Sequence, residues 1–162
     1  MGFEELVRRH AADLYRYAFW LARDRQQAED VVQEALLRAW GGFPRLRDPA
    51  AAKSWMFSIV RNEYFRMKGR NPPMADVVSL DELAAPDTGM AALEMRDALM
   101  SLPASYAEPL ALQVLGGFSC AEIAAMLGTT EGATMTRLTR ARQALRRLVA
   151  PEGAAQHKGG RS

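Results

Sequence analysis

The sequence predicts an all-α protein of two small helical domains joined by a flexible linker. Two separate sets of apolar residues recur at helical spacing, one before about residue 68 and one after about residue 92. Between them lies a gap containing Pro72-Pro73, Pro86 and Gly89, with the acids Asp76, Asp81, Glu82 and Asp87 and few large apolar residues. Near the end, Phe118 to Leu148 reads as two helices joined by a tight turn, the second strongly basic.

Phe3, Leu6, Val7, His10, Leu14, Tyr17, Ala18 and Leu21 define a first amphipathic helix ending near Ala22. His10 on that stripe reads as a half-buried packing residue. Asp24 offers the next N-cap, with Gln27 three residues on, and the second helix is expected from Arg25 to Trp40, stopped by Gly41-Gly42. Its core side is Ala28, Val31, Val32, Ala35, Leu36 and Ala39. Asp30, Gln33 and Glu34 gather on another side, which periodicity alone reads as an ordinary solvated face.

A loop from Phe43 to Ala52 carries Arg45 and Arg47 between prolines. The third helix is expected from Ala52 to Lys68, with an apolar sector of Trp55, Met56, Ile59, Val60, Tyr64 and Met67. Opposite stand Ser58, Arg61, Asn62, Phe65 and Lys68. Phe65 is an aromatic ring among cations and an amide on the wet side. Two readings stand: a ring placed to stack on an unpaired base, or one covered by a neighbouring helix or the linker.

Ala92 to Leu102 reads as a helix ended by Pro103. Ser105, with Glu108 as its box partner, is expected to cap the next helix, which Pro109 should kink or delay. Ser119 and Glu122 form a capping box for the following one, which carries Ile123, Ala124 and Leu127 and ends at Gly128. Thr129 or Thr130 then caps a helix from Glu131 to Ala150. Its apolar side is Leu138, Ala141, Leu145 and Leu148, and its other faces carry Arg137, Arg140, Arg142, Arg146 and Arg147. That is a helix-turn-helix with the charge to meet phosphates, although an αα-hairpin with a solvated basic face has the same pattern. The domains are therefore about 1–68 and 92–150, with a linker at 69–91 and a small, polar, glycine-rich tail at 151–162 expected to be disordered.

Composition narrows the function. The net charge is only +2, so nucleic-acid binding rests on where charge sits: residues 44–70 hold seven Lys or Arg against two acids. A single Cys120 forbids an internal disulfide, and with two histidines no metal or other cofactor is expected. The absence of a membrane-length apolar run and of a leader pattern points to a cytoplasmic protein without membrane insertion. No nucleophile-base pair or phosphate loop is present, so neither an enzyme nor a small-molecule substrate is expected.

Taken together, the residues resemble the extracytoplasmic-function sigma factors of bacterial RNA polymerase. Ala28-Glu29-Asp30-Val31-Val32-Gln33-Glu34-Ala35-Leu36-Leu37-Arg38-Ala39-Trp40 and Trp55 to Asn62 resemble that family's region two. Leu102-Pro103, Phe118 to Gly128 and Thr134 to Arg142 resemble its region four. The resemblance implies an alternative sigma factor directing core polymerase to specific promoters and regulated by an anti-sigma factor. It implies that Asp30, Gln33 and Glu34 face a polymerase coiled coil. Arg61, Asn62, Phe65, Lys68 and Lys53, with Arg45 and Arg47 in the 43–52 loop, would engage the unwound minus-ten strand. Thr130, Thr134, Met135, Thr136, Arg137, Arg140, Arg142, Arg146 and Arg147 would meet the minus-thirty-five duplex. Three positions depart from the family pattern. Thr134-Met135-Thr136-Arg137 stands where Val-Lys-Ser-Arg is usual, Arg66 where Asp is common, and Pro109 inside a helix usually uninterrupted. Two rivals remain. One is a duplex-binding regulator that never touches polymerase, the other a sigma-like adaptor that binds an anti-sigma protein and no DNA.

Overall fold

A computed structural model describes residues 2–69 and 95–149, the side chains of Met95 and Arg96 excepted. The expected linker beyond Gly69 and the tail at 151–162 lie outside the described residues. Every regular element among those described is helical: α1 (Phe3–Ala22), α2 (Arg25–Gly42), α3 (Ala52–Lys68), α4 (Met95–Ser101), α5 (Ala104–Gly116), α6 (Cys120–Leu127) and α7 (Glu131–Val149). Two short 3₁₀ turns, Phe43–Arg45 and Pro49–Ala51, connect α2 to α3. Two compact units result, one gathering 2–69 with 111–122 and the other 95–110 with 123–149.

Local chemistry sets most helix ends. Arg23 takes a left-handed conformation at φ 57°, its N–H donating to the Phe19 carbonyl at 2.7 Å. That turn releases Asp24, whose carboxylate accepts from the Gln27 N–H at 3.0 Å and caps α2. The expected stop at Gly41-Gly42 is corrected: α2 runs through both glycines and ends against the 3₁₀ turn at Phe43-Pro44. Gly42 packs closely there: a Cβ would stand 3.2 Å from the Trp55 ring, which would have to shift by a few tenths of an ångström. α3 matches its expected span and closes on Gly69 at φ 66°.

In the first unit α1, α2 and α3 pack pairwise into a three-helix bundle. α2 presents Ala28, Val31, Ala35 and Ala39, mostly small, so its neighbours approach closely and fill the core with Leu6, Leu14, Tyr17, Met56, Phe57 and Val60. The Tyr17 and Phe57 rings lie 5.2 Å apart, and Phe57 meets Phe118 edge-on at 5.0 Å. His10 is half-buried, as expected of a packing residue. Burial, then Lys53 and Arg9, hold it below its ordinary pKa of 6.5 against the opposing charge of Asp13.

The expected apolar sector of α3 needs correction. Phe57, outside that sector, is wholly buried, while Trp55, Ile59 and Tyr64 are half-buried and Met67 is exposed. Two helices cover α3 from different sides, so the buried arc is centred on Met56 and Val60. It is wide enough to take in both Phe57 and the acidic Glu63.

The second unit buries Ala98 and Leu102 with Tyr106, Ala107, Leu110, Ile123 and Ala124, against Leu138, Ala141, Ala144, Leu145 and Leu148 of α7. α5 starts one residue before Ser105, with the Pro103 carbonyl accepting from the Tyr106 and Ala107 N–H groups at 2.9 Å. Ser105 is therefore not its cap. Glu108 is buried, and Pro109 sits inside the helix without delaying its start. The Ser119–Glu122 box forms as expected, at 2.9 Å and 3.2 Å.

Replacing Phe57 by Ala should destabilise the chain by about 3–5 kcal/mol, and Ser119→Ala by about 1 kcal/mol. Leu37→Ala, at a 65% exposed position, should stay within about 0.5 kcal/mol. Urea unfolding followed by circular dichroism would rank the three, and equal losses at Phe57 and Leu37 would contradict the packing described.

Candidate nucleic-acid and polymerase interfaces

The tight turn of the helix-turn-helix is built from backbone rules. Gly128, at φ 69°, lets the Thr129 N–H reach the Ala124 carbonyl at 2.9 Å, closing α6 in a six-to-one loop. Two residues on, the Thr130 hydroxyl accepts from the Ala133 N–H at 3.1 Å and opens α7. The nineteen residues of α7 span roughly 28 Å at 1.5 Å each, and a major groove about 12 Å wide admits the side chains of its first turns.

α7 sorts its polar residues sharply. Thr130, Met135, Thr136, Arg140, Arg142, Arg146 and Arg147 are exposed, and Arg137 is half-buried with its Nη1 donating to the Thr129 hydroxyl at 3.5 Å. Thr134 departs from the expected set. It is 0% exposed and its hydroxyl donates to the Thr130 carbonyl at 3.0 Å, so it belongs to the core and is withdrawn as a DNA contact. Met135, 54% exposed, stands on the same side as Arg142 and Arg146, seven and eleven residues on.

On α3, Asn62 and Lys68 are exposed and Phe65 is half-buried. The Arg61 guanidinium lies 5.4 Å from the Phe65 ring centre, and Tyr64 meets that ring edge-on at 5.0 Å. The cation, amide and ring expected together are thus together. Lys53 is not with them. Nine residues at about 100° each set it on the far side of the helix from Asn62. Its ammonium is 3.4 Å from Asp13 and lies over Phe57 and Phe118 at 5.9 Å and 5.6 Å, so it is withdrawn from the strand-binding set. Arg45 and Arg47 are exposed on the connecting segment, which is shaped by Asp48 accepting from the Ala50 N–H at 3.0 Å.

On α2, Asp30 and Gln33 are exposed, with Asp30 accepting from the Gln26 amide at 3.1 Å. Glu34 is half-exposed. One of its oxygens lies 3.9 Å from Arg38 and 4.0 Å from Arg66. Leu37 and Trp40 continue this stripe, 65% and 63% exposed, and Phe3 meets Trp40 edge-on at 5.2 Å.

Glu63 is absent from the expected site, yet it joins two of these faces. It is 3% exposed, paired with Arg38 of α2, and receives Arg66 through Nη2 at 2.7 Å and Nε at 3.1 Å. The signal for it was an acid seven residues after Met56 and three after Val60, on the buried arc, with an Arg three residues further on. The hydrogen bond to Glu63, then its charge, raise the pKa of Arg66, which stays protonated throughout. Among the described residues no helix is long and apolar enough to cross a membrane, and no three His, Cys, Asp or Glu side chains group as a metal site.

Sequence and fold both match known proteins. Residues 6–73 match the model of Sigma-70 region 2 and residues 92–145 that of Sigma-70, region 4. The ECF RNA polymerase sigma factor SigL of Mycobacterium tuberculosis is 40% identical over 146 residues, covering 85% of this chain and 82% of the relative. The ECF RNA polymerase sigma-E factor of Escherichia coli is 31% identical over 140 residues, covering 75% and 73%. Among solved structures, the sigma factor RpoE from Bartonella quintana, co-crystallised with the anti-sigma factor NepR, superposes with a TM-score of 0.69. It is 26% identical, over 90% of this chain and 95% of that one. The chain belongs to the extracytoplasmic-function sigma factors of RNA polymerase.

The exposed residues of α7 should divide by position. Arg146→Ala should weaken binding to all duplexes alike and lower the salt slope by about one unit. Thr136→Ala, at the groove-entering end, should change which duplexes are preferred. Titration of a randomised duplex pool at several salt concentrations checks this, and an even loss from Thr136→Ala with preference unchanged would contradict it.

Proposed function

We propose that this sigma factor carries core RNA polymerase to a specific set of promoters and opens them through two faces of one helical unit. Asp30, Gln33 and Glu34 on α2 form the polymerase face. Arg61, Asn62, Phe65 and Lys68 on α3, with Arg45 and Arg47, hold the unwound minus-ten strand. Thr130, Met135, Thr136, Arg137, Arg140, Arg142, Arg146 and Arg147 meet the minus-thirty-five duplex. Residues 1–68 and 92–150 divide these tasks as two sigma regions linked through 69–91. The protein works in the cytoplasm, contributes specificity and strand opening, and leaves the chemistry to polymerase. An anti-sigma protein regulates it, a reading supported by the likeness to a sigma factor crystallised with one.

The observation that carries strand opening is the half-exposed Phe65 ring with Arg61 5.4 Å from its centre and Asn62 exposed on the same side of α3. Duplex phosphates call only for cations. A ring gains about 1–3 kcal/mol by stacking on a base that has left the duplex. Releasing that base costs a few kcal/mol, so Asn62, the 43–52 segment and polymerase share the work.

Phe65→Ala should therefore leave closed-complex binding near wild type and cut open-complex formation about tenfold or more, most visibly at low temperature. Permanganate footprinting of unpaired thymines reads this directly. Wild-type melting in the variant would overturn the role of Phe65.

A further inference from the structure

Glu63 is a carboxylate on α3 with almost no access to water, and removing one of two opposed charges from such a site leaves the other uncompensated. Its partners, Arg38 on α2 and Arg66 on α3, both reach outward to one oxygen of the half-exposed Glu34, at 3.9 Å and 4.0 Å. Two acids and two guanidiniums thus form a neutral quartet with one member buried and one on the outer face. A planar guanidinium held by a fixed carboxylate is oriented, whereas a free surface arginine spreads over many rotamers. Glu34 alone, at the surface of a single helix, would have no fixed direction.

We infer that Glu63 is a positioning residue for the polymerase face: it fixes Arg38 and Arg66 so that they hold the Glu34 carboxylate in its binding orientation. This rests on the assignment of that face to polymerase proposed above. The buried acid does not touch the partner protein; it acts through the two arginines. Because Arg38 stands on α2 and Glu63 on α3, the same pair also ties α3 to α2.

The test is a double-mutant cycle on affinity for core polymerase, using the full chain. Glu34→Ala and Glu63→Gln should each weaken binding about tenfold, the scale of one charge-assisted hydrogen bond. The double variant should be scarcely weaker than either single one, because both remove the same contact. Helical circular dichroism and urea unfolding of each variant report whether the α1–α3 bundle is folded. If Glu63→Gln fails to fold, Arg66→Gln at an exposed position supplies the same cycle. Wild-type affinity for Glu63→Gln, or losses that multiply to about a hundredfold in the double variant, would give Glu63 a merely structural role and overturn the inference. Wild-type affinity for Glu34→Ala would instead remove the polymerase face, and this inference with it.

Discussion

The small-residue side of α2 is the constraint on which the first unit depends. Ala28, Ala35 and Ala39 allow α1 and α3 to approach closely, so the large side chains Leu14, Tyr17, Met56 and Phe57 complete the core. Burial of about half of each helix suffices in a three-helix bundle, and the remaining arcs of α2 and α3 stay available to partners. A sigma factor needs two such faces on one rigid body, since promoter opening must be mechanically joined to polymerase. Glu63 answers a problem that this design creates. Close packing brings α2 and α3 together at a place where each also carries surface charge. A buried acid between Arg38 and Arg66 makes that contact electrically neutral.

α7 applies the same economy in another way. One arc, from Thr134 through Leu138, Ala141 and Leu145 to Leu148, is given to the core. The exposed positions include Met135, Thr136, Arg140, Arg142, Arg146 and Arg147. The helix is held by the left-handed Gly128 before it and by the Thr130 hydroxyl that caps its first turn. The proposed readers Met135 and Thr136 can therefore vary while the scaffold is kept.

Most of the fold was legible in the sequence because its determinants are local. Asp24 with its Gln27 N–H, Ser119 with Glu122, and the left-handed Gly69 and Gly128 each act within a few residues of where they stand. Helical periodicity likewise located the cores of α1, α2 and α7. What escaped depends on how many neighbours a helix has. Phe57 and Glu63 lie on an arc of α3 that is buried only because two other helices cover it. Lys53 has the charge of the cations around Asn62, but the helical turn sets it on the opposite side, beside Asp13. Thr134 has the polarity of a DNA contact, but the Thr130 carbonyl satisfies its hydroxyl, so burial costs little. The run past Gly41-Gly42 was hidden for a similar reason: Gly42 lies in close contact with Trp55 and is not a turn position.

Transcription by purified core polymerase across a genomic fragment library, with and without this chain, tests the central claim most directly. Initiation should appear at a small set of discrete start sites that depend on the chain, each with permanganate-reactive thymines just upstream. Binding of the chain to duplex fragments with no change in where polymerase starts, and no melted thymines, would contradict it and leave only an ordinary duplex-binding regulator.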